Sequence, residues 1–153
     1  KIKVPGAILV DQPGPLTIPA ITKIEEGGIL MSQGPITISG DIVHGPPPAA
    51  PALPEPLTIV SLKGDITIAP SVRNIEAMLI ALDGQVKFGG AGDITITGGV
   101  ATKVLDPKTI VLGGKRKIKY SKDIDPNGPN RTVFKVFYGG EDRVACVGEE
   151  EKP

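Results

Sequence analysis

The chain has one cluster of basic residues, and its side chains are the best candidates for binding an anionic partner. Lys115, Arg116, Lys117 and Lys119 are contiguous apart from one isoleucine, and Lys122 follows closely. Alternation along a strand places Lys115, Lys117 and Lys119 on one face and Arg116 on the other. A few such cations neutralise a few phosphates, so the pattern predicts weak, salt-sensitive contact with DNA or another anion. The favoured alternative is a charged edge strand that resists edge-to-edge aggregation.

Three aspartates beside repeated strands are the candidates for acid–base or calcium chemistry. The three are Asp41, Asp65 and Asp93, and each lies next to a copy of a repeated strand. If the repeats form the stacked coils of a β-helix, Asp65 and Asp93 would lie one above the other in adjacent coils. Carbohydrate-active β-helices gather carboxylates on one face, either as calcium ligands or as acid and base. The favoured alternative is that each aspartate forms a turn by bonding its own backbone.

The single histidine and the single cysteine restrict other kinds of site. His44 precedes three prolines, and we expect an exposed loop histidine without a catalytic role. Cys146 lies among small apolar residues and is expected to be a buried, unreactive side chain. These counts exclude an internal disulfide, a cysteine-based metal cage and a His-rich zinc or iron site within one chain. We therefore predict no catalytic residue, no bound metal and no cofactor.

Composition excludes several further classes of function. Lys plus Arg and Asp plus Glu are both 17, so the formal net charge of 0 argues against bulk capture of nucleic acid or an anionic membrane. With 3 Phe, 2 Tyr and no Trp, stacking platforms for single-stranded nucleic acid or sugars are not expected. The longest apolar run, at 77–82, is far shorter than the roughly 20 residues that cross a bilayer. We expect no membrane contact by this chain.

The elements that carry these residues are organised by a short repeat. A tetrapeptide that ends in Thr-Ile begins at residues 15, 35, 56, 65 and 93. A second apolar motif occupies residues 7–10, 28–31, 57–60 and 78–81. A period of about 20 residues with two or three short strands per unit is typical of a solenoid. Stacked coils align isoleucines and leucines into inner ladders, while the threonine between two isoleucines faces outward.

We predict an all-β fold, a β-solenoid (β-helix) of about four to five coils with a C-terminal β-hairpin cap. The solenoid covers residues 1–125 with a Pro-rich insertion loop at 44–56, and residues 126–153 form the hairpin and a tail. Residues 84–88 look like an additional strand, inserted before the copy at 93–96. The alternative is an antiparallel sandwich in which the same motifs form hairpins.

Three stretches in the second half follow one another in a specific order. They are an apolar small-residue stretch at 78–84, the Gly-Asp-Ile-Thr-Ile phrase at 92–100, and a Tyr-containing stretch closing on Asp-Pro at 120–126, after the basic cluster. This order resembles the C-terminal β-solenoid region of bacterial type IV pilus minor pilins and pilus-assembly proteins. The resemblance covers roughly residues 57–127. It implies a surface-exposed domain whose hydrophobic N-terminal helix was removed or lies upstream.

The resemblance implies a non-enzymatic structural or binding domain of a pilus-associated protein, extracellular and at the bacterial cell surface. Its tasks would be adhesion, pilus assembly or DNA uptake. Its partners would be other pilus proteins, identical subunits, DNA or a surface ligand. Two alternatives remain open, a self-polymerising scaffold that resembles bactofilins and a carbohydrate-active β-helix protein.

Overall fold

The computed structural model describes residues 1–12, 14–45, 57–103 and 116–120, and all ten elements in these ranges are β-strands. The expectation of an all-β chain is confirmed for this part of the molecule. The strands are β1 (Ile2–Val10), β2 (Leu16–Ile18), β3 (Ile24–Ser32), β4 (Ile36–Ile38), β5 (Thr58–Ser61), β6 (Ile66–Ile68), β7 (Asn74–Ala81), β8 (Val86–Phe88), β9 (Ile94–Thr102) and β10 (Arg116–Tyr120).

The strands form two parallel sheets. One sheet has the order β1-β3-β5-β7-β9-β10, and the other has the order β2-β4-β6-β8. Up to β9, the chain passes from a strand of the first sheet to a strand of the second and back again, which winds it into about four coils. The predicted β-solenoid is confirmed, and the alternative of an antiparallel sandwich is wrong because every strand pair is parallel.

The four-stranded sheet shows why the Ile-Thr-Ile phrase suits this fold. In β4 and β6 both isoleucines are buried and the threonine between them is half-buried and faces outward. The register joins Thr17 to Thr37 and Thr37 to Thr67, so the threonines form an outer rank one strand spacing apart, about 4.8 Å. The predicted inner and outer faces of this phrase are confirmed.

The six-stranded sheet supplies two further inner ranks of apolar side chains. The first runs through Ile8, Leu30, Ile59, Leu79 and Val100. The second runs through Ile21, Ile42, Ile75, Ile96 and Ile118. Together with the isoleucines of the second sheet, the buried members of these ranks form one hydrophobic core. Since no coil encloses a core alone, stability arises from stacking.

The structure corrects the predicted stacking of the last repeats. Residues 86–88 are not an insertion but the next strand of the four-stranded sheet, where Phe88 pairs with Ile68. The phrase at 93–96 lies in the six-stranded sheet instead, where Ile96 pairs with Ile75. The reason is chain length: Phe88 follows Ile68 by 20 residues, as Ile38 follows Ile18, whereas Ile96 follows Ile68 by 28.

The Pro-rich insertion lies between Ile42 and β5 in the sequence. Ile42 pairs with Ile21 and Ile75, and the chain rejoins the six-stranded sheet at Thr58. Residues 46–56 of this insertion, the predicted hairpin and tail at 126–153, and Cys146 all lie outside the described residues.

Two glycines permit the close approach of neighbouring coils. A Cβ atom on Gly84 would lie 2.2 Å from the carbonyl oxygen of Gly64. Gly98 has a φ of 147°, and a Cβ atom there would lie 2.3 Å from the carbonyl oxygen of Ala77. Side chains at these positions would push the coils apart.

Candidate functional site

The predicted basic strand exists as β10, and it presents two lysines on one face. Lys117 pairs with Thr95 and Lys119 pairs with Thr97, while Ile118 between them continues the inner rank. Both lysines are exposed, and both threonines are half-buried on the outward side of β9. We call Lys117, Lys119, Thr95 and Thr97 the lysine surface.

The prediction that alternate lysines share one face is confirmed for Lys117 and Lys119. Of the other predicted residues, the backbone of Arg116 pairs with Ile94. Lys115 and Lys122 lie outside the described residues.

The geometry of the lysine surface suits an extended anion. Residues 117 and 119 are two apart on one strand, which separates their Cα atoms by about 6.6 Å. This distance is close to the spacing of successive phosphates in nucleic acid, and two adjacent threonine hydroxyls can donate hydrogen bonds to anionic oxygens. The rank continues through β7, where Thr95 pairs with Asn74 and Thr97 pairs with Glu76.

His44 is a structural residue at the start of the Pro-rich insertion. Its Nδ1 lies 3.0 Å from Oε2 of Glu76, and its backbone N–H donates to the same oxygen at 2.6 Å. The side chain is half-buried, so the expectation of an exposed loop histidine is wrong. The pair holds the chain at His44 against β7, which begins thirty residues later in the chain.

Asp41 caps the first residues of the next coil and does not stack with the other predicted aspartates. Its Oδ1 accepts hydrogen bonds from the backbone N–H groups of Arg73 at 2.6 Å and Asn74 at 3.1 Å, and its Oδ2 accepts one from Asn74 Nδ2 at 3.2 Å. Burial by itself raises the pKa of Asp41, but these hydrogen bonds and the nearby Arg73 charge hold the pKa below its ordinary value.

Asp65 caps a different corner in the same way. Its Oδ1 accepts a hydrogen bond from the backbone N–H of Gln85 at 2.8 Å, and its carboxylate forms an ion pair with Lys87. The hydrogen bond from Lys87 is the main reason that the pKa of Asp65 lies below its ordinary value. The predicted stacking of Asp65 and Asp93 is wrong, because Gln85 occupies the coil position after Asp65 and Asp93 precedes a strand of the other sheet.

Asp41 and Asp65 therefore hold coils together, and their hydrogen bonds run between coils instead of within their own turns. The sequence analysis favoured aspartates that bond their own turn. The observed hydrogen bonds reach the backbone of the following coil, 20 to 33 residues further along the chain.

Sequence reasoning missed Arg73, which lies at a glycine-rich corner. Its Nη1 donates to the carbonyl oxygens of Pro70 at 2.7 Å and Val72 at 2.9 Å. A Cβ atom on Gly92 would lie 2.9 Å from Nη1 of the guanidinium, so a side chain there would displace the flexible end of the arginine. A shallow depression, open to solvent, lies beside it. Because Asp41 partly balances the arginine charge, the corner is a weaker anion site than the lysine surface.

Comparison with models of protein families, with curated proteins and with solved structures finds no match for this chain. Within the described ranges, no helix has the length and apolar character needed to cross a membrane.

Proposed function

We propose that this chain is a non-enzymatic β-solenoid domain with a structural and binding role at a bacterial cell surface. In this proposal it belongs to a pilus-associated protein of the minor-pilin type. The ordered resemblance of residues 57–127 supports the pilus assignment. The observation that carries the binding role is the lysine surface, where two exposed ammonium groups on one strand adjoin two threonines.

The contacts of the acidic side chains are structural, and this supports a role without catalysis. Asp41 and Asp65 accept backbone hydrogen bonds from the next coil, and Glu76 contacts His44. A general acid that works near neutral pH needs a raised pKa, whereas the pKa values of Asp41 and Asp65 are lowered. Their environments stabilise the charged form that a cap requires.

DNA is the anionic partner that we propose for the lysine surface. Fluorescence anisotropy of a labelled DNA duplex, measured against salt concentration, tests this directly. The wild-type chain should bind weakly, with an affinity that falls as salt increases. Replacing both lysines, Lys117→Ala with Lys119→Ala, removes two phosphate contacts and should reduce the magnitude of the negative slope of log K against log salt by about 1.8.

The matched control changes two exposed lysines elsewhere on the solenoid. Lys23→Ala with Lys63→Ala alters the net charge by the same amount, and this variant should keep both the affinity and the salt slope. Equal losses in the two double variants would mean that binding reflects net charge and not the lysine surface. Absence of binding at low salt would refute a DNA-binding role.

The pilus assignment is tested in the organism that encodes the chain. Cells that lack the gene should lose pili, pilus-dependent adhesion or DNA uptake, and the wild-type gene should restore them. The Lys117→Ala, Lys119→Ala gene should restore pili but not DNA uptake. Unchanged piliation, adhesion and uptake in the deletion strain would contradict the proposal.

A further inference from the structure

The first coil presents an open edge of the solenoid. β1 is the outermost strand of the six-stranded sheet, and among the described strands only β3 pairs with it. In the inner rank that begins at Ile8, Ile59 and Leu79 are 0% exposed, whereas Ile8 is 37% exposed. Its neighbour Leu9 is 47% exposed. Ile8 therefore leaves the end of the core partly exposed, and Leu9 adds apolar surface on the opposite face of the same strand.

The backbone of this edge has polar groups directed away from the sheet. The backbone N–H of Gln33 donates to the carbonyl oxygen of Val10 at 3.3 Å, so Val10 directs its polar groups towards β3. The backbone N–H and C=O groups of successive residues point to alternate sides of a strand. Those of Ile8 therefore point towards β3, while those of Ala7 and Leu9 point away from the sheet. An edge of this kind is a template for a further strand.

Within β1, residues 7–10 are the part of the edge that lacks protecting residues. On their N-terminal side, Pro5 has no N–H, and Lys1 and Lys3 are exposed. Proline and lysine are the residues that protect natural edge strands from pairing. Gly6, with a φ of 71°, turns the chain between this protected part and residues 7–10. The sequence of residues 7–10, Ala-Ile-Leu-Val, carries no charge, so two copies of it meet without like-charge repulsion.

We infer that two copies of this chain associate head to head by antiparallel pairing of residues 7–10. The twofold axis passes beside Ile8, so Ala7 of each copy lies opposite Leu9 of the other and exchanges both main-chain hydrogen bonds with it. The two Ile8 residues face each other in a pair without hydrogen bonds, with Cα atoms about 4.5 Å apart. Each isoleucine thereby covers the open core of the other copy.

Twofold symmetry makes this association self-limiting. The same edge of both copies is consumed, so pairing closes at a dimer and does not extend into a fibre. The unprotected segment is only four residues long, and proline and lysine precede it. It therefore suits a single closed contact better than the stacking of whole coils. The inference is independent of the proposed pilus function, because it uses only the edge of β1.

Sedimentation velocity over a range of concentrations tests the inference on the 153-residue chain. The wild type should form a reversible dimer. Ile8→Lys places two ammonium groups on the twofold axis and should raise the dissociation constant by at least about tenfold. The control Leu82→Lys changes a side chain of equal exposure, 37%, on another coil and should leave dimerisation intact. A monomeric wild type, a fibre, or an Ile8→Lys variant that still dimerises would overturn the inference.

The register is tested by disulfide formation in a Cys146→Ser background, where each added cysteine is the only one in the chain. Ile8→Cys should form a linked dimer on mild oxidation, because its expected Cα separation lies within the range for disulfides. Leu9→Cys should link much more slowly, because the offset separates the two Leu9 Cα atoms by roughly 8 Å. Faster linking of Leu9→Cys, or no linking of Ile8→Cys, would refute pairing about Ile8.

Discussion

At the scale of the residue, carboxylates in this solenoid perform the task that helix caps perform elsewhere. Each coil begins with backbone N–H groups at a corner, and Asp41 and Asp65 accept hydrogen bonds from such groups in the following coil. The lowered pKa values of both residues are the electrostatic consequence of these contacts. Ion pairing of Asp65 with the exposed Lys87 adds little, since surface pairs contribute at most about 1 kcal/mol.

Replacing Asp41 with alanine should lower the free energy of unfolding at pH 7 by about 1–2 kcal/mol, because two backbone donors lose their acceptor. The folded-state pKa lies below the ordinary value of 3.8, so the charged form stabilises the fold. That contribution is complete above the unfolded-state pKa and disappears as the pH falls through the folded-state pKa. Urea denaturation at pH 7 and at about pH 3 should therefore show a smaller difference between variant and wild type in acid.

The control for this experiment is Asp11→Ala, which removes an exposed aspartate with no cap among the hydrogen bonds of the described residues. Its effect on unfolding should stay within about 0.5 kcal/mol at both values of pH. If the cost of Asp41→Ala were unchanged in acid, the charged carboxylate would not be the source of the stabilisation.

Alternation along strands predicted the residue-scale features that depend on one strand alone. It placed the isoleucines of the Ile-Thr-Ile phrases inside and Lys117 and Lys119 together outside. It did not predict the contact of His44 with Glu76 or of Asp41 with Arg73, because the residues of each pair are 32 positions apart in the chain. Such contacts depend on which coil follows which.

At the scale of the element, chain length between strands decides the stacking more strongly than similarity of sequence. The phrases at 65–68 and 93–96 are identical, yet they lie in different sheets. The strand that follows β6 in its sheet is Val-Lys-Phe, which shares only the apolar-polar-apolar pattern. A coil needs about 20 residues, and β8 is at that distance whereas β9 is not. Counting residues between candidate strands would have placed both correctly.

Close approach of coils at their corners gives a second element-scale prediction. Gly84→Ala places a Cβ atom 2.2 Å from the carbonyl oxygen of Gly64 and should cost about 2 kcal/mol or more of the free energy of unfolding. Gly14→Ala is the matched control, because nothing lies within 4 Å of the added Cβ atom and its φ is not positive. That change should be neutral or stabilise the fold by up to about 1 kcal/mol.

Chemical denaturation of both glycine variants measures these values. If Gly14→Ala and Gly84→Ala were equally destabilising, the effect would arise from general loss of glycine and not from contact between coils.

At the scale of the whole molecule, the solenoid is a stack in which each coil contacts chiefly its neighbours. Its interior coils are sealed, as the full burial of Ile36, Ile59, Ile66 and Leu79 shows. The first described coil is not sealed, because Ile8, its member of the inner rank, is exposed. The repeat period predicted this architecture, since stacked coils are the means by which short strands acquire a common core. The two surfaces that we propose for partners, the lysine surface and the edge at residues 7–10, depend on features that do not repeat.

The central claim is that successive coils lie parallel to one another in the register described here. Backbone NOE spectroscopy of the isotope-labelled chain tests it most directly. Parallel stacking predicts Hα-to-amide contacts that link the neighbourhood of Thr67 to that of Thr37 on one side and to that of Lys87 on the other. Contacts between Thr67 and Thr95, or the Hα-to-Hα contacts of antiparallel pairs, would contradict it.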